Sequence, residues 1–294
     1  MKKGLILVNA YCETNSNLNQ SKRLKEELEL LGVSVDIQKN DSFSASINSS
    51  GDIVYSNLNY DFCVYLDKDK YLSNMLQSKP IRLFNSHNAI QVCDDKMLTH
   101  IALANKNIPM PKTLAGLLCY TLGSTVKEDT LDKIEKELGY PLVVKNSFGS
   151  LGEQVVLVNN RQELKEISQK LIFKPHIFQE YIKESSGVDI RVIVVGKKPI
   201  VGMKRVSKVD FRSNIELGGV GEKYEIDNSL ASLCTKVSEI LNLDYCGIDI
   251  LVSNNGYMVC EVNSNAFFGG IEAVTGVNVA KVYAEYIYKQ IYGV

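Results

Sequence analysis

Two short apolar runs flank Asn254-Asn255-Gly256: Cys246-Gly247-Ile248-Asp249-Ile250-Leu251-Val252 before it and Tyr257-Met258-Val259-Cys260-Glu261-Val262-Asn263 after it. Apolar segments on both sides of an Asn-Gly turn signal a β-hairpin. Asp249, Glu261 and Asn263 interrupt the apolar pattern. Side chains alternate between the faces of a strand, so Glu261 and Asn263 share one face. A three-residue loop built on a type I turn, with Gly256 at positive φ, pairs Ser253 with Tyr257 and sets Asp249 opposite Glu261. A two-residue loop shifts the register by one and sends Asp249 to the other face. In the three-residue register two carboxylates and an amide oxygen converge. Unpaired carboxylates among apolar strands are costly, and an oxygen-only cluster suits a hard cation such as magnesium. The competing reading is three polar residues on a solvated sheet face.

A chain of 294 residues is long enough for two or three subdomains around sizeable cores. Its net charge of -1 argues against a dedicated nucleic-acid binder, which carries a basic surplus. No apolar run approaches the roughly 20 residues that cross a bilayer, so no membrane partner is expected. The start, Met1-Lys2-Lys3 with Leu5-Ile6-Leu7-Val8 and Cys12, has a superficial lipoprotein-signal look. Its apolar run is too short, and Asn9 and Tyr11 interrupt it, so a first strand is expected. The 7 cysteines form no Cys-x-x-Cys pair, which fits a reduced, cytoplasmic setting. The 3 histidines have no zinc-ligand spacing, and no Ser-His-Asp or Cys-His arrangement stands out.

The expected class is α/β, or α+β in its later parts. Residues 4–8 read as a buried strand and Ser21–Leu31 as an amphipathic helix, with Ser21 as N-cap and Gly32 as its stop. Strands follow at 33–37, 62–66 and 81–84, which makes a small α/β domain with a parallel sheet. Asn9-Ala10-Tyr11-Cys12 stands where a dinucleotide-binding fold carries Gly-x-Gly-x-x-Gly. A helix from Asp94-Asp95 to about Asn107 is expected to stop at Pro109 and Pro111. Then come a helix at 129–138, strands at 141–145 and 154–158, a helix at 161–171 and a strand at 176–181. Strands dominate from Val188 until a helix at 229–241, the hairpin, and a closing helix at 278–291.

Lys145 ends the run Pro141-Leu142-Val143-Val144, ahead of Asn146-Ser147-Phe148-Gly149-Ser150-Leu151-Gly152. A Lys at a strand end beside small residues can set one cation and several backbone N–H groups around phosphates. Its Lys precedes the glycines, so it is not a P-loop, and a surface Lys at a hairpin is the plainer alternative. Downstream, Asp189 and Arg191 share a face at the start of a strand, as a salt-bridged pair or as site residues. Arg212, in the polar segment Asp210-Phe211-Arg212-Ser213-Asn214, is the better candidate for anionic oxygens.

In order, Lys96, Lys145, Gln179-Glu180-Tyr181-Ile182, Asp189-Ile190-Arg191, Asp210 to Asn214, Asp249 and Glu261-Val262-Asn263 resemble the ATP-grasp superfamily. They look most like its RimK-type α-L-glutamate ligases. The likeness runs from Asp94-Asp95-Lys96 to Gly270-Ile271-Glu272-Ala273-Val274-Thr275-Gly276. It implies an ATP-grasp fold with an N-terminal pre-ATP-grasp α/β domain at 1–88, a central lobe at 89–182 and a C-terminal lobe at 183–294. It implies that Lys96 and Lys145 hold ATP phosphates under a loop with Gly149 and Gly152. Gln179, Glu180, Tyr181 and Ile182 would line the adenine slot, and Asp189 would lie near the ribose. Arg212, Ser213 and Asn214 would reach the terminal phosphate, with Arg191, Arg212 and Asn214 closest to the reaction. Asp249, Glu261 and Asn263 would hold two magnesium ions, for which manganese could substitute.

The implied reaction activates a carboxylate with ATP as an acyl phosphate and passes it to an amine. The partners are an amino acid and a carboxylate-bearing peptide, protein or metabolite, and a homo-oligomer, dimer or tetramer, is in keeping with the resemblance. Ligases of carrier-protein or dipeptide biosynthesis, or a silent nucleotide-binding regulator, are the alternatives. Two departures stand out: few glycines between Asn146 and Gly152, and Phe267-Phe268 where the family has small residues. The two aromatics are expected in the core rather than in the acceptor pocket.

Overall fold

Alternation along single strands decides where this chain puts its charges, and three sheets carry them. The computed structural model describes residues 2–11, 15–149, 152, 154–213 and 218–294. The chain opens with β1 (Lys3–Val8), α1 (Asn15–Leu30) and β2 (Ser34–Lys39), then a small hairpin of β3 (Ala45–Ile47) and β4 (Ile53–Tyr55). β5 (Phe62–Leu66), α2 (Lys70–Gln77) and β6 (Arg82–Phe84) follow. β1, β2, β5 and β6 form a parallel sheet in the order β2-β1-β5-β6. Its central strands β1 and β5 are buried on both faces, so they read as continuous apolar runs.

α1 begins at Asn15, six residues before the expected Ser21. Ser21 is inside the helix, and its hydroxyl donates to Leu18 O at 3.0 Å instead of capping. Leu24 and Leu28 still face the core, and Gly32 at φ 80° ends the element. The helix expected from Asp94-Asp95 to about Asn107 is present but shorter, and a helix that was not expected precedes it. α3 (His87–Asp94) is capped by Ser86, and α4 (Lys96–Leu103) is capped by Asp95, whose carboxylate accepts from Met97 N and Leu98 N. Asp95 itself is extended (φ −99°, ψ 111°), which breaks the run. α4 stops before the prolines because Ala104 turns extended and Asn105 and Asn107 take positive φ.

β7 (Thr113–Ala115), α5 (Glu128–Leu138), β8 (Leu142–Asn146), β9 (Val155–Val158), α6 (Arg161–Leu171) and β10 (His176–Glu180) come next. Their strands make an antiparallel sheet, β7-β10-β8-β9. The third sheet, β13-β12-β11-β14-β15, is built from β11 (Val188–Val195), β12 (Lys198–Val206), β13 (Val220–Tyr224), β14 (Tyr245–Ser253) and β15 (Gly256–Asn263). α7 (Asn228–Ile240) precedes β14; α8 (Gly269–Thr275) and α9 (Val279–Tyr292) close the chain.

Period two sorts β11 into two faces. Ile190, Val192 and Val194 share a core with Cys234 and Val237 of α7 and with Ile248 and Ile250 of β14. Ile193 and Val195, on the other face, pack with Tyr245, Phe268 and Tyr283 and with strands of the first sheet. Asp189 and Arg191 continue that second face, at its open end. Asn85, nearly fully buried, ties the first sheet to the third. Its amide donates to Tyr245 O and Ser264 O, both at 2.8 Å, and accepts from Asp244 N and Tyr245 N.

Candidate active site

The hairpin reaches the expected face by a different route. Ser253 pairs with Gly256, so the loop has two residues, Asn254 and Asn255, not three. The expected pairing of Ser253 with Tyr257 is therefore incorrect. A bulge then shifts the register: Ile250 pairs with Val259, but Asp249 pairs with Glu261 and Gly247 with Asn263. Cys260 is the extra residue. Val259 and Val262, three apart, both face the α7 core, while Asp249, Glu261 and Asn263 line a cavity. The solvated-face alternative fails for Asp249, which is 6% exposed.

Arg191 grips that carboxylate, Nε to Oδ1 at 2.7 Å and Nη2 to Oδ2 at 2.7 Å, and Arg205 Nη2 approaches Oδ2 at 3.0 Å. Burial pushes the Asp249 carboxyl up, but Arg191 and then Arg205 outweigh it and hold it at about 2. Arg205, 2% exposed, also donates to both oxygens of Asp189, at 2.7 and 2.5 Å. Asp189 thus ends in a buried ion pair, and its expected place beside a ribose is as a carboxylate already committed to Arg205. The four groups form a neutral ladder across β12, β11 and β14.

Lys96 opens α4. Its Nζ donates to Gly149 O at 3.1 Å and lies 3.4 Å from Glu261 Oε1. Lys145, 7% exposed, is held by neutral partners, Gln179 Oε1 at 2.6 Å and Cys260 Sγ at 3.4 Å. Gln179 Nε2 in turn donates to Thr113 Oγ1 at 2.9 Å and approaches His100 Nε2 at 3.2 Å. Burial, reinforced by Lys145, lowers His100 to about 4 and keeps its ring neutral. Gln179 therefore orients Lys145. Glu180 is exposed and accepts from Lys112 N at 3.1 Å, Tyr181 stands edge-on to Phe211, and Ile182 is buried beside them.

Arg212 forms a fork on Asp210, Nε to Oδ1 at 3.0 Å and Nη2 to Oδ2 at 2.7 Å, and extends Nη1 to Gly152 O at 2.6 Å. That contact joins the loop after β8 to the segment that follows β12. The loop is also anchored by Ser147, whose N–H donates to Pro175 O and whose carbonyl accepts from Lys96 N. Gly149 has φ 128°, a backbone conformation that strains any residue with a side chain. Ser213 is buried. Asn214, and Ser150 and Leu151 of the loop, lie outside the described residues.

Apart from Asn214, every candidate residue lines one cavity of about 430 Å³, a volume in the range of small-ligand sites. The sequence reading missed Arg205, Cys260, Asn9 and Asp67, which line it too. Of the two aromatics, Phe268 is core and Phe267 lines the cavity, so the expectation of core holds for one alone. The six described cysteines are free thiols; Cys12 lies outside the described residues.

A family model for the RimK-like ATP-grasp domain matches residues 93–287. The chain belongs to the RimK-like ATP-grasp family. A probable alpha-L-glutamate ligase of Shewanella loihica is 32% identical over 299 residues, covering 96% of this chain and 95% of that protein. Beta-citrylglutamate synthase B of Danio rerio is 36% identical over 230 residues, 76% of this chain. The chain spans only 55% of that relative's length. Among solved structures, the ATP-grasp ligase PsnB complexed with minimal precursor, Mg and ADP superimposes with a TM-score of 0.71 at 16% identity, covering 98% of this chain and 97% of that one. That likeness shows the ATP-grasp fold.

Proposed function

We propose that this protein is an ATP-dependent carboxylate–amine ligase that joins L-glutamate or a similar amino acid to a carboxylate-bearing peptide, protein or metabolite. The observation that carries this reading is the convergence in one cavity of an oxygen-donor set, Asp249, Glu261 and Asn263, with Lys96, Lys145 and Arg212. Family membership and the glutamate ligase and synthase names of the relatives support it.

In this reading residues 89–182 and 183–294 clamp the nucleotide and residues 1–88 face the substrates. Lys96 and Lys145 hold phosphate oxygens, with Gly149 and Gly152 backbone beside them and Glu180, Tyr181 and Ile182 along the adenine. Arg191, Arg212, Ser213 and Asn214 serve the terminal phosphate, and Asp189 steadies Arg205. Two carboxylates and an amide oxygen fit magnesium or manganese. Bound there, such ions would neutralise charge on the transferring phosphoryl group. The substrate carboxylate oxygen attacks the γ-phosphorus, ADP leaves, and an amine then displaces phosphate from the acyl phosphate. The chain's part is to align these groups and exclude water.

Release of ADP in the presence of ATP, magnesium, L-glutamate and a pool of di- and tricarboxylic acids and acidic peptides tests this. Turnover should need both an acid and an amine, and Glu261→Gln should lower it by about 100-fold or more. Undiminished ligation by Asp249→Asn and Glu261→Gln would sink the assignment.

A further inference from the structure

The first sheet ends in polar residues for which the nucleotide chemistry has no use. β1 sends the chain through α1 to β2 on one side, while β5 and β6 lie on its other side. β1 and β5 are thus the pair at which strand order reverses, and in open parallel sheets the ligand crevice lies outside the carboxyl ends of such a pair. Here those ends are Asn9, directly after β1, and Asp67, directly after β5. Both line the cavity that holds Lys145 and Asp249.

Asp67 is 6% exposed. Its Oδ1 accepts from Asn9 Nδ2 at 3.0 Å and Lys68 N at 2.7 Å, and its Oδ2 accepts from Asn40 Nδ2 at 2.7 Å. The amide oxygens of Asn40 and Asn9 are spent on Ala10 N and Tyr11 N, which fixes both side chains. Lys68 directs its ammonium to Asp94 at 3.1 Å. Neutral donors therefore hold a carboxylate at the cavity wall, and each carboxylate oxygen offers two acceptor positions. Lys68, Lys96, Lys145 and Arg212 line the same cavity, whose cations suit anionic groups.

We infer that the cavity wall formed by Asn9 and Asp67 receives the ammonium group of the amine substrate, an amino acid, with Asp67 Oδ2 as acceptor. This rests on the ligase reading above. It makes Asp67 a specificity residue: an ammonium group adds the attraction of opposite charges to the hydrogen bond, and an amide N–H in its place supplies the hydrogen bond alone.

Calorimetry on the full chain loaded with magnesium and a non-hydrolysable ATP analogue tests it, with L-glutamate and N-acetyl-L-glutamate as probes. L-Glutamate should bind about 30-fold more tightly, the scale of a hydrogen bond to a charged group. Asp67→Asn should erase that preference and leave nucleotide affinity within about twofold. The two-probe comparison in the unaltered protein needs no variant to fold. Equal affinity for the two probes, a preference that survives in Asp67→Asn, or no binding by any standard amino acid to nucleotide-loaded protein would overturn the inference. Failure to bind the nucleotide at all would instead overturn the ligase reading on which it rests.

Discussion

Lys145 brings its charge to the cavity at the end of a relay of neutral groups. Gln179 accepts from it and leans on Thr113 and His100, and His100 stays uncharged because it is buried beside that same ammonium. A second cation there would repel Lys145. The ring titrates at about 4 in the folded protein against an ordinary 6.5, so between those values the unfolded chain binds more protons. This residue's contribution to stability is complete above about pH 6.5 and is lost as pH falls towards 4, by up to roughly 3 kcal/mol. His87 and His176, also lowered by burial, act in the same direction. Thermal denaturation between pH 7 and pH 4.5 should therefore show a shallower acid loss in His100→Gln than in the unaltered protein, and equal slopes would contradict this role. Lys145, Asp249, Glu261 and Asn263 were legible because each ends or interrupts an apolar run, whereas Lys96, after Asp94-Asp95, was legible only from the family resemblance. Asn9 and Asp67 were not, because a polar residue after a strand is ordinary until the topology sets two such ends side by side.

Both hairpins that build the third sheet hide their registers in the same way. Each has a two-residue turn followed by a bulge: at Cys260 in one, and between Ile193 and Val194 in the other, where Val194 pairs with Pro199 but Ile193 with Val201. Regular counting from the Gly196-Lys197 turn would set Lys204 opposite Asp189, whereas the bulge sets Arg205 there. No residue type announces a bulge, so Arg205 was illegible and the hairpin parity was right for the wrong loop. Helix ends were easier where a cap is written in the sequence, as at Asp95. That cap holds the first turn of the helix that presents Lys96. Asp95→Ala should cost about 1 kcal/mol, read as a lower denaturation midpoint, with weaker ADP binding. A variant of unchanged stability and affinity would show that the packing of α4, not its cap, positions Lys96.

At the scale of the molecule, the sheets matter because each contributes to one cavity. The antiparallel sheet brings Lys145 and Gln179, the third sheet brings the arginine–aspartate ladder and Glu261, and the parallel sheet brings Asn9 and Asp67. Asn85 joins the first of these sheets in sequence to the last through four hydrogen bonds that leave none of its amide unused. Among the described residues no helix is long and apolar enough to cross a membrane. The longer strands and helices were legible from periodicity, since most of their boundaries fall within one or two residues of the expected spans, while β3, β4, β7, α2, α3 and α8 were not. The convergence of three sheets on one cavity was not, because contacts such as that of Asn85 with Tyr245 join residues 160 apart in sequence. In the proposed reaction, that convergence is what would bring a carboxylate, a triphosphate and an amine together. The most direct test is to supply an acid substrate carrying oxygen-18 in its carboxylate and weigh the products. Attack on the γ-phosphorus leaves the attacking oxygen on phosphate, so each phosphate released should carry a single oxygen-18 atom and the nucleotide product should be unlabelled ADP. Label in AMP, or phosphate without label, would contradict a carboxylate-activating site of this kind.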